Sequence, residues 1–222
     1  MKEVEKFKAA AEQLITAIDL FFNNKSEISV HTLARAAHEI FDKLCEYKNL
    51  PRGVVYEGMK GISDEKKKLV LSKINEAKNF FKHADKDPEA KITWNPELST
   101  YYIWDATSLY RRLNNEKIPY EILIFSVWFR VKNNHLWDTP SELDALIPDA
   151  KTELANIDKS SFYDFFLEKC KNGSFTIPNN SQGDNPRRFI IFPKNGGDYC
   201  ARTGRAGQAH TGLFVLSTIH II

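Results

Sequence analysis

Apolar residues recur at spacings of three and four along most of the chain, which is the pattern of helices with one buried face. It predicts a first helix over residues 5 to 22 and a second that begins at Ser29, a suitable N-cap. A third helix follows Ser63 and ends before Pro88, because proline disfavours helix at the residue that precedes it. The positions predicted to face the core are Phe7, Ala10, Leu14, Ala17, Phe21, Leu33, Ala37, Phe41, Leu44, Val70, Ile74, Ala77, Phe81 and Ala84.

Three more helices are predicted in the second half of the chain. The fourth extends from Leu98 to Leu113, and Pro119 is well placed at the first turn of a fifth. The fifth contains the run ILIFSVWF, which is apolar on nearly every side and therefore indicates a central buried helix. Residues 160 to 171 predict a short helix that ends near Gly173. We therefore predict an all-α fold, an antiparallel helical bundle.

The C-terminal segment differs in composition from this helical body. Seven of the ten glycines lie after residue 172. The stretches RRFIIF (187–192) and LFVLSTIHII (213–222) are rich in β-branched and aromatic residues and could pair as a β-hairpin. The alternative is that the segment is poorly ordered. The predicted organisation is a helical bundle over 1–138, a helical extension over 139–172 and a Gly-rich basic tail over 173–222.

Composition and charge exclude several classes of protein. Lys and Arg total 31 against 29 acidic residues, too even a balance to indicate a nucleic-acid or membrane partner by itself. The longest nearly unbroken apolar run, 122–129, is far shorter than the roughly 20 residues that cross a bilayer. The first ten residues lack the apolar core of a signal peptide. Three widely spaced cysteines without a CxxC pair disfavour disulfides and structural zinc. We expect a cytoplasmic protein with no membrane partner and no metal or other cofactor.

The most specific local pattern is the sequence KNFFKH at 78–83, near the end of the third predicted helix. Asn79 and His83 are four residues apart and would share one helix face. An imidazole and an amide beside Lys78 and Lys82 can bind a phosphate and move a proton near neutral pH. The alternative is structural, since cations near a helix C-terminus favour the helix dipole.

This pattern resembles the HEPN superfamily, whose motif is Arg-Asn/Asp-x(3)-His late in a helix of a compact bundle. Lys78, Asn79 and His83 occupy the three motif positions in order. The second helix, TLARAAHEIFDKL at 32–44, and the segment AKNFFKHADKDP at 77–88 are also similar to a group of bacterial HEPN-like proteins. The resemblance covers about residues 6 to 132.

The resemblance implies metal-independent cleavage of RNA at the interface of a homodimer. By carry-over, His83 is the acid–base group that acts on the ribose 2′-OH. Asn79 is the orienting polar group, and Lys78 is the cation that faces the phosphate. Lys82, Arg35 and Glu39 are binding or supporting residues of the cleft. The departure is Lys78, because lysine lacks the bidentate fork of the family's arginine.

The second helix also carries a polar stripe, His31, Arg35, His38 and Asp42. His38 and Asp42 are spaced like a metal-binding pair, but a solvated or dimer-facing side of the helix explains the stripe as well. We expect the stripe to supply the two-fold contact of the dimer.

The leading hypothesis is a HEPN-type endoribonuclease of a toxin or defence system, with RNA as substrate and a cognate antitoxin or other protein as partner. The alternative is a non-catalytic helical module that binds a protein partner or a nucleotide through the same cleft. Lysine at position 78 in place of arginine favours the alternative.

Overall fold

The computed structural model describes residues 1–83, 87–114, 117–133, 136, 151–173 and 175. Within these residues the chain forms eight helices and no strand, so the predicted all-α helical bundle is confirmed. The helices are α1 (Lys6–Phe22), α2 (Glu27–Tyr47), α3 (Val54–Gly58), α4 (Asp64–Phe80), α5 (Leu98–Leu113), α6 (Tyr120–Lys132), α7 (Lys151–Asn156) and α8 (Lys159–Lys171).

The connection between α1 and α2 is a short turn, so the two helices pack as an antiparallel pair. The N-cap of α2 is Ser26, whose hydroxyl accepts a hydrogen bond from the backbone N–H of Ser29 at 3.3 Å. The predicted cap at Ser29 is therefore wrong. Ser26 caps the helix because its hydroxyl accepts the N–H of the third helical residue, and Glu27 places a negative charge in the first turn.

Helix α6 is the centre of the bundle, as its uniformly apolar sequence predicts. Every residue from Ile122 to Val131 is buried. Pro119 is its N-cap, one position before the first turn. Phe125 and Trp128 of α6 make ring contacts with Phe22 at the end of α1.

Helix α8 joins the same hydrophobic core as α1, α2, α5 and α6. Phe162 and Phe166 are fully buried, and Tyr163 stacks on Phe22 with ring centroids 4.8 Å apart. Residues of the predicted helical extension therefore help to cover α1 and α6. Gly173 ends α8 with φ +75°, a conformation that glycine adopts without strain.

Helix α4 lies on the outside of the bundle. It begins at Asp64 as predicted, but none of its residues is buried. Val70, Ile74, Ala77 and Phe81, predicted to be core, are only half-buried. The reason is that polar contacts, described below, hold α4 to α2 where an apolar interface was expected, and the Tyr102 hydroxyl of α5 donates to the Ile74 carbonyl at 3.4 Å.

Some predictions fall outside the described residues. Ala84, the boundary at 138/139 and both predicted strands of the tail lie there. In the part of the chain that the structure describes, no helix has both the length and the apolar character needed to cross a membrane.

Candidate functional site

The motif spans the C-terminal end of α4 and the turn that follows it. The helix ends at Phe80, so His83 lies beyond it, whereas the sequence pattern predicted that the whole motif is helical. The turn keeps the motif together, because Phe81 retains αR angles and the His83 N–H donates to the Asn79 carbonyl at 3.1 Å. Asn79, Lys82 and His83 are exposed. The predicted acid–base and amide groups are therefore neighbours on the surface.

Phe81 anchors this exposed turn to the bundle. Its ring lies edge-on to Trp94 and His31, with centroids 5.0 and 5.8 Å away. His31 is buried, and its Nδ1 lies 3.1 Å from the Ser99 hydroxyl. Burial, followed by the nearby charge of Arg35, lowers the pKa of His31 to about 4. His31 is therefore a neutral aromatic support for the motif at physiological pH.

Arg35 and Lys78 connect α2 to α4 on the flank beside the motif. The Lys78 ammonium donates to the Glu39 carboxylate at 3.1 Å. The Arg35 guanidinium donates to the Asn75 amide oxygen at 2.6 Å and stacks on the ring of Tyr102, 4.2 Å from its centroid. We call this cluster of side chains the α2–α4 groove; its residues are Glu39, Asn75, Lys78 and Lys82, at or near the surface, and the buried Arg35.

Glu39 is the negative centre of the α2–α4 groove. Its partial burial alone would raise its pKa. The hydrogen bond from Lys78 and the positive charges of Lys78, Arg35 and Lys82 outweigh that effect, so its pKa lies below its usual value. The structure thus brings together Lys78, Lys82, Arg35 and Glu39, four of the residues that the sequence selected.

The polar stripe of α2 is not exposed on the surface of the protein. His31, Arg35, His38 and Asp42 are all buried within the chain, so the prediction of a solvated or dimer-facing stripe is wrong. Polar groups from α4, α5 and the loop after α2 cover it. Because the stripe is covered, it cannot supply a two-fold contact.

His38 and Asp42 bind different partners and do not form a metal-binding pair. His38 Nε2 lies 2.8 Å from Oδ2 of Asp105. Asp42 accepts the Gly53 N–H at 2.9 Å and a bidentate hydrogen bond from Arg52. No group of three or more potential metal ligands occurs among the residues with described positions.

Asp105 and Gly53 are the residues that sequence reasoning missed. Asp105 Oδ2 also accepts the Val54 N–H at 2.9 Å, so it fixes the start of α3. A Cβ at Gly53 would lie 2.6 Å from Asp105 Oδ2 and 3.0 Å from His38 Nε2, so only glycine fits. Arg112 donates to the carbonyl oxygens of residues 51 and 52. The sequence contained one signal for these buried contacts, because Asp105 is a carboxylate placed between the apolar residues of α5.

Comparison with known proteins adds no family to this description. No model of a protein family matches the sequence, and neither curated proteins nor solved structures give a match.

Proposed function

We propose that the protein is a metal-independent endoribonuclease of the HEPN type, with the exposed turn after α4 as its active site. One observation carries the proposal. His83 and Asn79 are exposed one hydrogen-bonded turn apart, Lys82 is exposed in the same turn, and the contacts of Phe81 with Trp94 and His31 fix the turn that presents them. The proposal also rests on the resemblance of 77–88 to the HEPN motif.

The chemistry requires one proton acceptor and one group that neutralises a phosphate. His83 takes the proton of a ribose 2′-OH, whose oxygen attacks the adjacent phosphorus. The new O2′–P bond forms as the P–O5′ bond breaks, and the 5′ oxygen takes a proton from an imidazolium or water. The products are a 2′,3′-cyclic phosphate and a 5′-hydroxyl. Asn79 positions the ribose or phosphate, and Lys82, which is exposed, is the cation that reaches the phosphate first.

The site is proposed to be shared between two copies of the chain in the cytoplasm. The exposed side of α4, which carries Asn79, remains available for a two-fold contact, whereas the polar stripe of α2 does not. Two His83 side chains in one cleft would supply the acid and the base separately.

A toxin or defence role, with an antitoxin or other protein partner, belongs to the same proposal. Light scattering over a range of concentrations tests the dimer, and a constant monomer mass argues against the shared site.

Incubation of RNA with the full chain in excess chelator tests the activity. Cleavage should persist, and products should carry 2′,3′-cyclic phosphates. DNA of the same sequence should stay intact, because it lacks the 2′-OH.

His83→Ala should abolish cleavage, and Asn79→Ala should weaken it less. Lys82→Ala should slow it, whereas the control Lys8→Ala, an exposed lysine of α1, should not.

Lys78→Arg is the informative gain-of-function variant. A guanidinium can bind a phosphate with two parallel hydrogen bonds, so the rate should rise if position 78 faces the substrate. RNA that remains intact with both the wild type and Lys78→Arg would contradict the enzyme proposal.

The second candidate function is a non-catalytic module that binds a protein partner or a nucleotide through the same groove. The ion pair between Lys78 and Glu39 favours it, because Lys78 is already neutralised inside the chain. Intact RNA together with measurable binding of a nucleotide would support this candidate.

A further inference from the structure

The α2–α4 groove concentrates positive charge around a single carboxylate. Glu39 lies one helical turn after Arg35 on α2, and Lys78 reaches it from α4. The Lys78 side chain is 12% exposed, whereas the Glu39 side chain is 49% exposed. The covered partner is thus the cation, and the anion is open to solvent.

The covered position of Lys78 explains why an anion is needed there. An ammonium group shielded from water loses part of its hydration, so a neighbouring negative charge stabilises it. Lys82 adds a second positive charge from the exposed turn, and Arg35 adds a third from the interior. Arg35 is too deeply buried to touch a ligand, so it contributes its charge rather than a contact.

We infer that Lys78 and Lys82 form a phosphate subsite in which the Glu39 carboxylate is an internal substitute for the phosphate. A phosphodiester of a single-stranded nucleic acid binds there by displacing Glu39 from Lys78. Glu39 can leave because its carboxylate is half-exposed, and the arriving phosphate keeps the covered Lys78 paired with a negative charge. Glu39 therefore lowers the affinity of the groove for phosphate. Only the identity of the phosphate carrier rests on the proposed function.

Binding of a single-stranded DNA oligonucleotide by the full chain tests this inference. DNA presents the same phosphodiesters as RNA but lacks the 2′-OH, so binding is measured without cleavage. Glu39→Gln should bind about three- to tenfold more tightly than the wild type at low salt. The same phosphate contacts form in both proteins once Glu39 is displaced, so the slope of log K against log salt, about −0.7 per phosphate contact on a single strand, should stay nearly the same. Glutamine can still accept the hydrogen bond from Lys78, so the fold is retained, and a melting curve checks this.

Two controls make the measurement specific. Glu46→Gln changes the charge by the same amount on the same helix, at a side chain that is 44% exposed and pairs with Lys43 and Arg52. It should leave the affinity nearly unchanged. In a Lys78→Met background, Glu39→Gln should give no gain, because the cation that it frees is gone.

The outcomes separate this inference from the proposed function. Equal affinity of the wild type and Glu39→Gln, an equal gain in Glu46→Gln, or a gain that survives Lys78→Met would each overturn the phosphate subsite. RNA cleavage alongside any of these results would leave the nuclease proposal standing. Tighter DNA binding by Glu39→Gln with RNA that is never cut would instead support the subsite and contradict the nuclease.

Discussion

The side chains of His38 and Asp105 meet in the interior between α2 and α5, with Nε2 of the histidine 2.8 Å from Oδ2 of the aspartate. Both residues are buried, and the same carboxylate oxygen accepts the N–H of Val54. Three segments that are distant in sequence therefore converge on one carboxylate. Since Val54 begins α3, the contact also fixes the connection that leads to α4 and its motif.

Removal of this carboxylate should destabilise the fold. Asp105→Ala leaves His38 and the Val54 N–H buried without their partner, and each such group costs about 1–3 kcal/mol. We expect the free energy of unfolding to fall by roughly 2–4 kcal/mol in urea denaturation. Asp164→Ala, at an exposed aspartate of α8, is the control and should change it by less than about 0.5 kcal/mol. Similar small losses in both variants would show that the contact has no structural role.

Gly53 should tolerate no side chain. In Gly53→Ala the new Cβ would lie 2.6 Å from Asp105 Oδ2, so either the loop or the pair of His38 and Asp105 must move. Overpacking of this kind costs about 1–3 kcal/mol, and calorimetry should show a lower Tm. Ser72→Ala is a suitable control, because Ser72 is an exposed residue of α4 and alanine favours a helix. A Tm for Gly53→Ala equal to that of the control would contradict the close approach.

Hydrophobic periodicity was sufficient to predict most of the bundle. The spacing of apolar residues located α1, α5 and α8 to within a residue or two, and Pro119 with the apolar run after it located the start of α6, since each helix has a buried face or is buried throughout. It did not correctly predict how deeply the apolar residues of α4 are buried. The apolar positions of α4 follow the helical period, but the side chains that hold it to α2 are polar.

The buried polar stripe could not be predicted for a different reason. A polar residue on a helix normally faces water, so His31 and His38 were assigned to the surface. Their partners, Ser99 and Asp105, lie 68 and 67 residues further along the chain. A single sequence shows which residues can form hydrogen bonds, but not which pairs the fold brings together.

Stability should depend on the protonation of His31. Its pKa is about 4 in the folded chain and 6.5 in the unfolded chain, because burial disfavours the charged ring. Between these values the unfolded chain binds the proton and the folded chain does not. Stability is therefore full above pH 6.5, falls as the pH decreases towards 4, and then levels off.

The loss of stability between pH 7 and pH 4.5 is roughly 2–3 kcal/mol, and comparison with His31→Phe isolates it. Phenylalanine suits the aromatic surroundings of His31, which include Phe81, Trp94 and Tyr102, and it does not titrate. Urea unfolding from pH 7 to pH 4.5 should show a steeper loss for the wild type than for the variant. Parallel curves would mean that His31 takes up its proton equally well in the folded state.

The first residues after α8 should matter for stability, because Phe175 completes the core. Its ring lies edge-on to Phe166 at 5.2 Å, and its N–H donates to the carbonyl of Lys169. A chain that ends at residue 172 lacks this side chain, whereas one that ends at 176 keeps it. Burial of a phenylalanine contributes about 1.5–3 kcal/mol. The shorter chain should therefore melt several degrees lower in a thermal scan, since 1 kcal/mol corresponds to about 2–4 °C at this size.

Phe175→Ala in the full chain should reproduce the loss, while Phe165→Ala, at a half-exposed ring of α8, should cost less. Equal melting temperatures for the two truncated chains would show that Phe175 is dispensable.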